Sequence, residues 1–104
     1  MSQQASKLVI ITEKVLLKEI VKLIKASGAT GYTVTAASGQ GSRNTRSSGQ
    51  PAVSETFSNV KLDVITTDED MARQLAETIA SKYFNNFSGI AYLDTIEVLH
   101  AHRL

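Results

Sequence analysis

The residues best equipped for chemistry fall in one stretch. From Ser38 to Gly49 the chain reads Ser-Gly-Gln-Gly-Ser-Arg-Asn-Thr-Arg-Ser-Ser-Gly, and no acidic residue follows until Glu55. Arg43 and Arg46 carry planar guanidinium forks that match phosphate oxygens two at a time. Ser42, Asn44, Thr45, Ser47 and Ser48 add neutral donors, and Gly39 and Gly41 let backbone N–H groups come close to an anion. The composition suits a phosphate ligand, and it equally describes a solvated loop. Gly39-Gln-Gly41 has no third glycine opening a helix and no Gly-Lys-Ser/Thr follows, so neither of the common glycine-rich phosphate motifs is present.

Other candidates are weaker. His100 and His102 stand two apart, which on a strand puts both on one face at a spacing that can hold a metal. No third ligand is assured, although Asp94 has the same parity, so surface or phosphate-facing histidines fit better than zinc. Asp68, Glu69 and Asp70 match charges placed at a helix N-terminus better than a catalytic acid pair, and no serine carries a nucleophile signature. Tyr83, Phe84 and Phe87 have the ring faces to stack on a base, but packing in the core is the commoner use. Four lysines, Lys14, Lys18, Lys22 and Lys25, share one side of a helix and read as its solvated face.

Composition narrows the classes. The chain has 104 residues, which suits a single domain over 1–104, and no cysteine, which removes disulfide scaffolds, thiolate metal sites and cysteine nucleophiles. Eleven Lys and Arg against ten Asp and Glu leave a net charge of +1, so no global field draws the protein to nucleic acid or anionic lipid. Charged residues interrupt every apolar run well short of the roughly eighteen residues a membrane span needs. The Met1 to Ser6 lead is too polar for a secretory signal, and a cytoplasmic location is expected.

The elements that position these residues follow from periodicity. Lys7 to Ile11 reads as a strand with Leu8 and Ile10 on one face and Val9 and Ile11 on the other. Thr12 is expected to cap the next helix and Glu13 to suit its positive end, with apolar positions from Val15 to Ile24 at helical spacing and Gly28 as the stop. Gly31 to Ala37 predicts a half-buried strand, and Ser38 to Thr56 a long loop. Phe57 to Thr66 is a strand with Val60, Leu62 and Val64 on one face and Lys61, Asp63 and Ile65 on the other. Thr67 and Asp70 form a capping-box pattern before a helix carrying Met71, Ala72, Leu75, Ala76, Ile79 and Ala80 to about Lys82. A turn over Tyr83 to Ser88 leads into a last strand from Gly89, whose alternation runs on to His102.

The order β-α-β, β-α-β is that of an α+β, ferredoxin-like βαββαβ sandwich with both helices on one face of an antiparallel sheet. The other face is left bare and carries too much apolar surface for water. Another copy of the same chain is the simplest cover, so a symmetric oligomer is expected.

Gly28-Ala-Thr-Gly-Tyr-Thr-Val-Thr35, Gly39-Gln-Gly41, the strand Asn59-Val-Lys-Leu-Asp-Val-Ile65 and the Gly-Ile start at Gly89 together resemble the PII signalling superfamily across nearly the whole chain. Gly41-Ser-Arg-Asn-Thr-Arg-Ser-Ser-Gly-Gln-Pro51 with Lys82-Tyr-Phe-Asn85 is similar to the PII-like proteins of the SbtB type in cyanobacteria. The resemblance implies a homotrimer whose sheets line the centre, with residues 38–56 as a mobile T-loop. It implies adenine nucleotides (cyclic AMP, AMP, ADP, ATP) as effectors in the clefts between subunits, with a possible divalent cation accompanying ATP. Carried over residue by residue, Thr33 would receive adenine, Gly41, Ser42, Arg43, Asn44 and Arg46 the phosphates, and Ser88, Gly89 and Ile90 the opposite wall. The implied output is control of the sodium-dependent bicarbonate transporter SbtA, and so peripheral attachment to the membrane through that partner, in the service of a carbon-concentrating mechanism. A nucleotide hydrolase using the same cleft is the alternative.

The sequence departs from classical members in several places. Its loop has no tyrosine for uridylylation, and Arg43 stands where a glutamine helps bind 2-oxoglutarate. Gly89, His100 and His102 stand where a phosphate-binding lysine and two arginines are usual, which implies a differently built triphosphate grip.

Overall fold

The computed structural model describes residues 2–29, 31–38 and 58–102. They form a single four-stranded sheet in the order β2-β3-β1-β4, with every neighbouring pair antiparallel. The strands are β1 (Gln3–Glu13), β2 (Thr33–Ala37), β3 (Asn59–Thr66) and β4 (Gly89–Val98). A single 3-10 turn (Lys14–Leu16) leads from β1 into α1 (Leu17–Ala26), and α2 (Glu69–Tyr83) joins β3 to β4. This is the expected ferredoxin-like arrangement. The expected strand start at Phe57 lies outside the described residues.

Alternation along the central strand decides the layering. Leu8 and Ile10 of β1 align with Val64 and Leu62 of β3, and all four are buried under α1 and α2. Leu16, Ile20 and Ile24 come down from the first helical segment and Ala72, Leu75 and Ile79 from the second, at the three- and four-residue spacing that makes one helix face. Tyr83, Phe84 and Phe87 pack against the same cluster, so the aromatic turn serves the core. Gly28 stops the first helix with φ of 90°, a left-handed conformation that glycine adopts without steric cost.

On the opposite side, Val9 lies between Asp63 and Tyr92, Ile11 beside Ile90, and Lys7 between Ile65 and Asp94. Among the described residues no helix covers this face. Ile65, Ile90 and Tyr92 remain 47%, 55% and 43% exposed. The bare apolar face anticipated from the alternation is therefore present in the single chain.

Four local expectations need correction. Thr12 does not cap the first helix, because the β1 ladder continues through Thr12 and Glu13, and both side chains turn to the segment before β4. The second helix begins one residue later than the Thr67-Asp70 box requires. Its cap is Asp68, whose carboxylate accepts the Met71 N–H at 3.0 Å, while Thr66 Oγ1 accepts the Asp68 N–H at 3.0 Å. The second strand is mostly exposed, not half buried, because it forms the sheet edge while α2 packs over β1, β3 and β4. Finally, β4 ends at Val98, so His100 and His102 lie beyond it and share no strand face.

Candidate functional site

The strand register sorts the candidate residues between the two ends of the sheet. At one end, the last residues of β1 meet the first residues of β3 and β4: Glu13 pairs with Asn59, and Thr12 with Gly89. Ala37, where the chain leaves β2 toward the loop, pairs with Asn59, where it returns. Lys14 N–H also donates to the carbonyl of Ser58 at 2.9 Å. Both roots of the Arg43 and Arg46 loop therefore stand at the same sheet end as Ser88 and Gly89. Gly41, Ser42, Arg43, Asn44 and Arg46 themselves lie outside the described residues.

The turn before β4 is held tightly. Ser88 N–H donates to Glu13 Oε2 at 2.8 Å, and the Ser88 carbonyl accepts Thr12 Oγ1–H at 2.6 Å. At Gly89 an added Cβ would overlap the Phe84 ring, which belongs to the core-packed aromatic turn. Glycine is required here by close approach. Gly89→Ala should lower stability by about 1–3 kcal/mol, since the ring must leave its packing to admit one methyl group. Urea unfolding of the variant against the parent measures this. Ile90, next along the strand, sits on the open face beside Ile11.

Thr33 lies part-way toward the other end, on the edge strand β2. It opens β2 opposite Asp63, four residues along β3 from Asn59, which at the usual strand rise is about 13 Å. Thr33, Tyr32, Asp63, Ile65 and His100 line a cavity of about 400 Å³ between the α1–β2 connection and the open face of the sheet. Asp63 Oδ1 is buried there without a hydrogen-bond partner among the described residues. A buried, unmatched carboxylate oxygen is costly, so this site favours a ligand or neighbour that brings a donor. Periodicity shows Asp63 only as an interruption of an apolar face. The signal for more was an acid in mid-strand on the sheet side that no helix covers.

Among the described residues no metal centre emerges, since no three His, Cys, Asp or Glu side chains come together to hold an ion. The lysines at 14, 18, 22 and 25 are exposed, with Lys22 at 3.7 Å from Glu19. Among the described residues no helix is long and apolar enough to cross a membrane.

Against known proteins, residues 5–103 match the family model described as nitrogen regulatory protein P-II. The chain belongs to the P-II family. A PII-like signalling protein from Thermus thermophilus shares 30% identity, with 93% of this chain and 90% of that chain covered and a TM-score of 0.72. CPII, a nitrogen regulatory PII-like protein from Thiomonas intermedia, has been solved bound to ADP, AMP and bicarbonate. It is 23% identical, covering 94% of this chain and 98% of its own, with a TM-score of 0.74. The same protein bound to ADP, AMP and acetate gives a TM-score of 0.76 at 23% identity, over 96% of this chain and 93% of CPII. At that identity the CPII structures establish the shared P-II fold. The SbtB subtype is a finer distinction than these matches draw.

Proposed function

We propose that this P-II protein is a homotrimeric sensor of adenine nucleotides that binds them between subunits and signals through its T-loop, residues 38–56. One observation carries the reading. Thr33 on β2 and the Ser88–Gly89 turn before β4 lie on opposite edges of the sheet in one chain, and the face between them exposes Ile65, Ile90 and Tyr92. A second copy seated against that face covers the apolar surface and brings the Thr33 edge of one subunit toward the Ser88 edge of another. The adenine then rests near Thr33, and phosphates run to Gly41, Ser42, Arg43, Asn44 and Arg46, with Ser88, Gly89 and Ile90 as the far wall. CPII, with ADP and AMP bound, supports this ligand class.

The effectors are cyclic AMP, AMP, ADP and ATP, the last with a divalent cation, and the output is regulation of the bicarbonate transporter SbtA at the cytoplasmic side of the membrane. A nucleotide regulates such a partner only through unequal affinity for two loop states. Calorimetry of the purified oligomer against the four nucleotides, with and without magnesium or calcium, tests the binding. Saturable binding with one site per chain is expected. Absence of binding, or equal binding by a monomer, overturns the reading. Phosphate release from ATP at steady state separates the sensor, which turns over negligibly, from a hydrolase in the same cleft.

A further inference from the structure

Glu13 ends the central strand as a buried carboxylate, only 3% exposed, in a position where local rules put a helix cap. Burying a carboxylate is unfavourable unless hydrogen bonds compensate, and an apolar side chain would fill the same space without that cost. Its bond to the Ser88 N–H is charge-assisted, stronger than a bond between neutral groups. Thr12 holds the carbonyl of the same residue from the other side, and Lys14 ties the strand end to Ser58 at the loop root. Three consecutive residues thus fix both the turn before β4 and the place where the loop returns to the sheet. Because both backbone groups of Ser88 are occupied, its hydroxyl and the exposed backbone of Gly89 are what the turn leaves available to a ligand.

We propose that Glu13 is a positioning residue for phosphate: through Ser88 it holds the Ser88–Gly89 turn in the geometry that receives the phosphate end of a nucleotide. This rests on the nucleotide reading above. A wall held in place before the ligand arrives spares the ordering cost that a loose turn would charge to each binding event. The effect is specific to the phosphate end, since the Thr33 cavity lies at the far end of the sheet.

The test compares AMP with adenosine, which lacks the phosphate, by calorimetry on the full-length oligomer. Glu13→Ala should weaken AMP about tenfold, the scale of one lost hydrogen bond to a charged group, and leave adenosine unchanged. Glu13→Gln, whose amide oxygen can accept the same N–H, should restore AMP to within about threefold of the parent. Should Glu13→Ala fail to fold, Thr12→Val removes the other hold on Ser88 and is expected to give the same split between the two ligands. Equal weakening of AMP and adenosine would reduce Glu13 to a general structural role and overturn the proposal, as would no change in either. A parent protein that binds neither AMP nor any other adenine nucleotide would overturn the nucleotide reading itself.

Discussion

Replacing Arg43 and Arg46 together by alanine should weaken AMP, ADP and ATP binding by about a hundredfold or more while leaving the oligomer intact. Each guanidinium can donate two parallel bonds to a phosphate, and a hydrogen bond to a charged group contributes about 1.5–3 kcal/mol net, so even one such bond from each residue controls roughly two to four decades of affinity. The lower end is expected because immobilising the side chains that grip the ligand opposes part of the gain. Adenosine, which offers no phosphate, should keep its affinity. The double lysine variant should recover only part of the loss, since an ammonium restores charge without the fork. Calorimetry checks the affinities and light scattering the mass. An unchanged affinity for AMP would remove these arginines from the site.

Much of this architecture is readable in the alternation of a few residues. Leu8 and Ile10 against Val9 and Ile11 announce a strand apolar on both sides, and two amphipathic helices can cover only one of them. What local pattern misreads is contact between distant parts of the chain. Thr12 and Glu13 have the residue types and placement of helix-capping groups, yet they serve Ser88, 75 or more residues away in sequence. The β-branched run at Thr33 to Thr35 signals a strand, but its exposure follows from an edge position that only sheet order reveals. Thr33 and Ser88 read as partners on the strength of resemblance. Their placement on opposite edges of the sheet follows from strand order, which periodicity does not encode, and it is what brings a second subunit into the site we propose. Asp63 is the converse case: visible as an acid out of pattern, but given meaning only by the cavity that its carboxylate faces.

Tyr92→Glu should convert the oligomer to monomer and abolish nucleotide binding with it. In the single chain Tyr92 is 43% exposed, so a glutamate there can stay in contact with water and the subunit should still fold. Between copies the same carboxylate must lose its hydration against Ile90 and Val9, at an effective penalty of several kcal/mol per ion, and symmetry repeats that penalty in every subunit. The mass by sedimentation should fall from about three times 11.2 kDa to a single chain, with helix content by circular dichroism unchanged. Tyr92→Phe, which keeps the ring and removes only the hydroxyl, should remain assembled. Loss of nucleotide binding in the glutamate variant follows from the proposed site: within one chain Thr33 and the Ser88 turn stand on opposite edges of the sheet. A glutamate variant that stays trimeric would place the subunit contact elsewhere. A folded monomer that bound AMP as the parent does would show that one chain contains the whole site, and the open face of the sheet would then need another explanation.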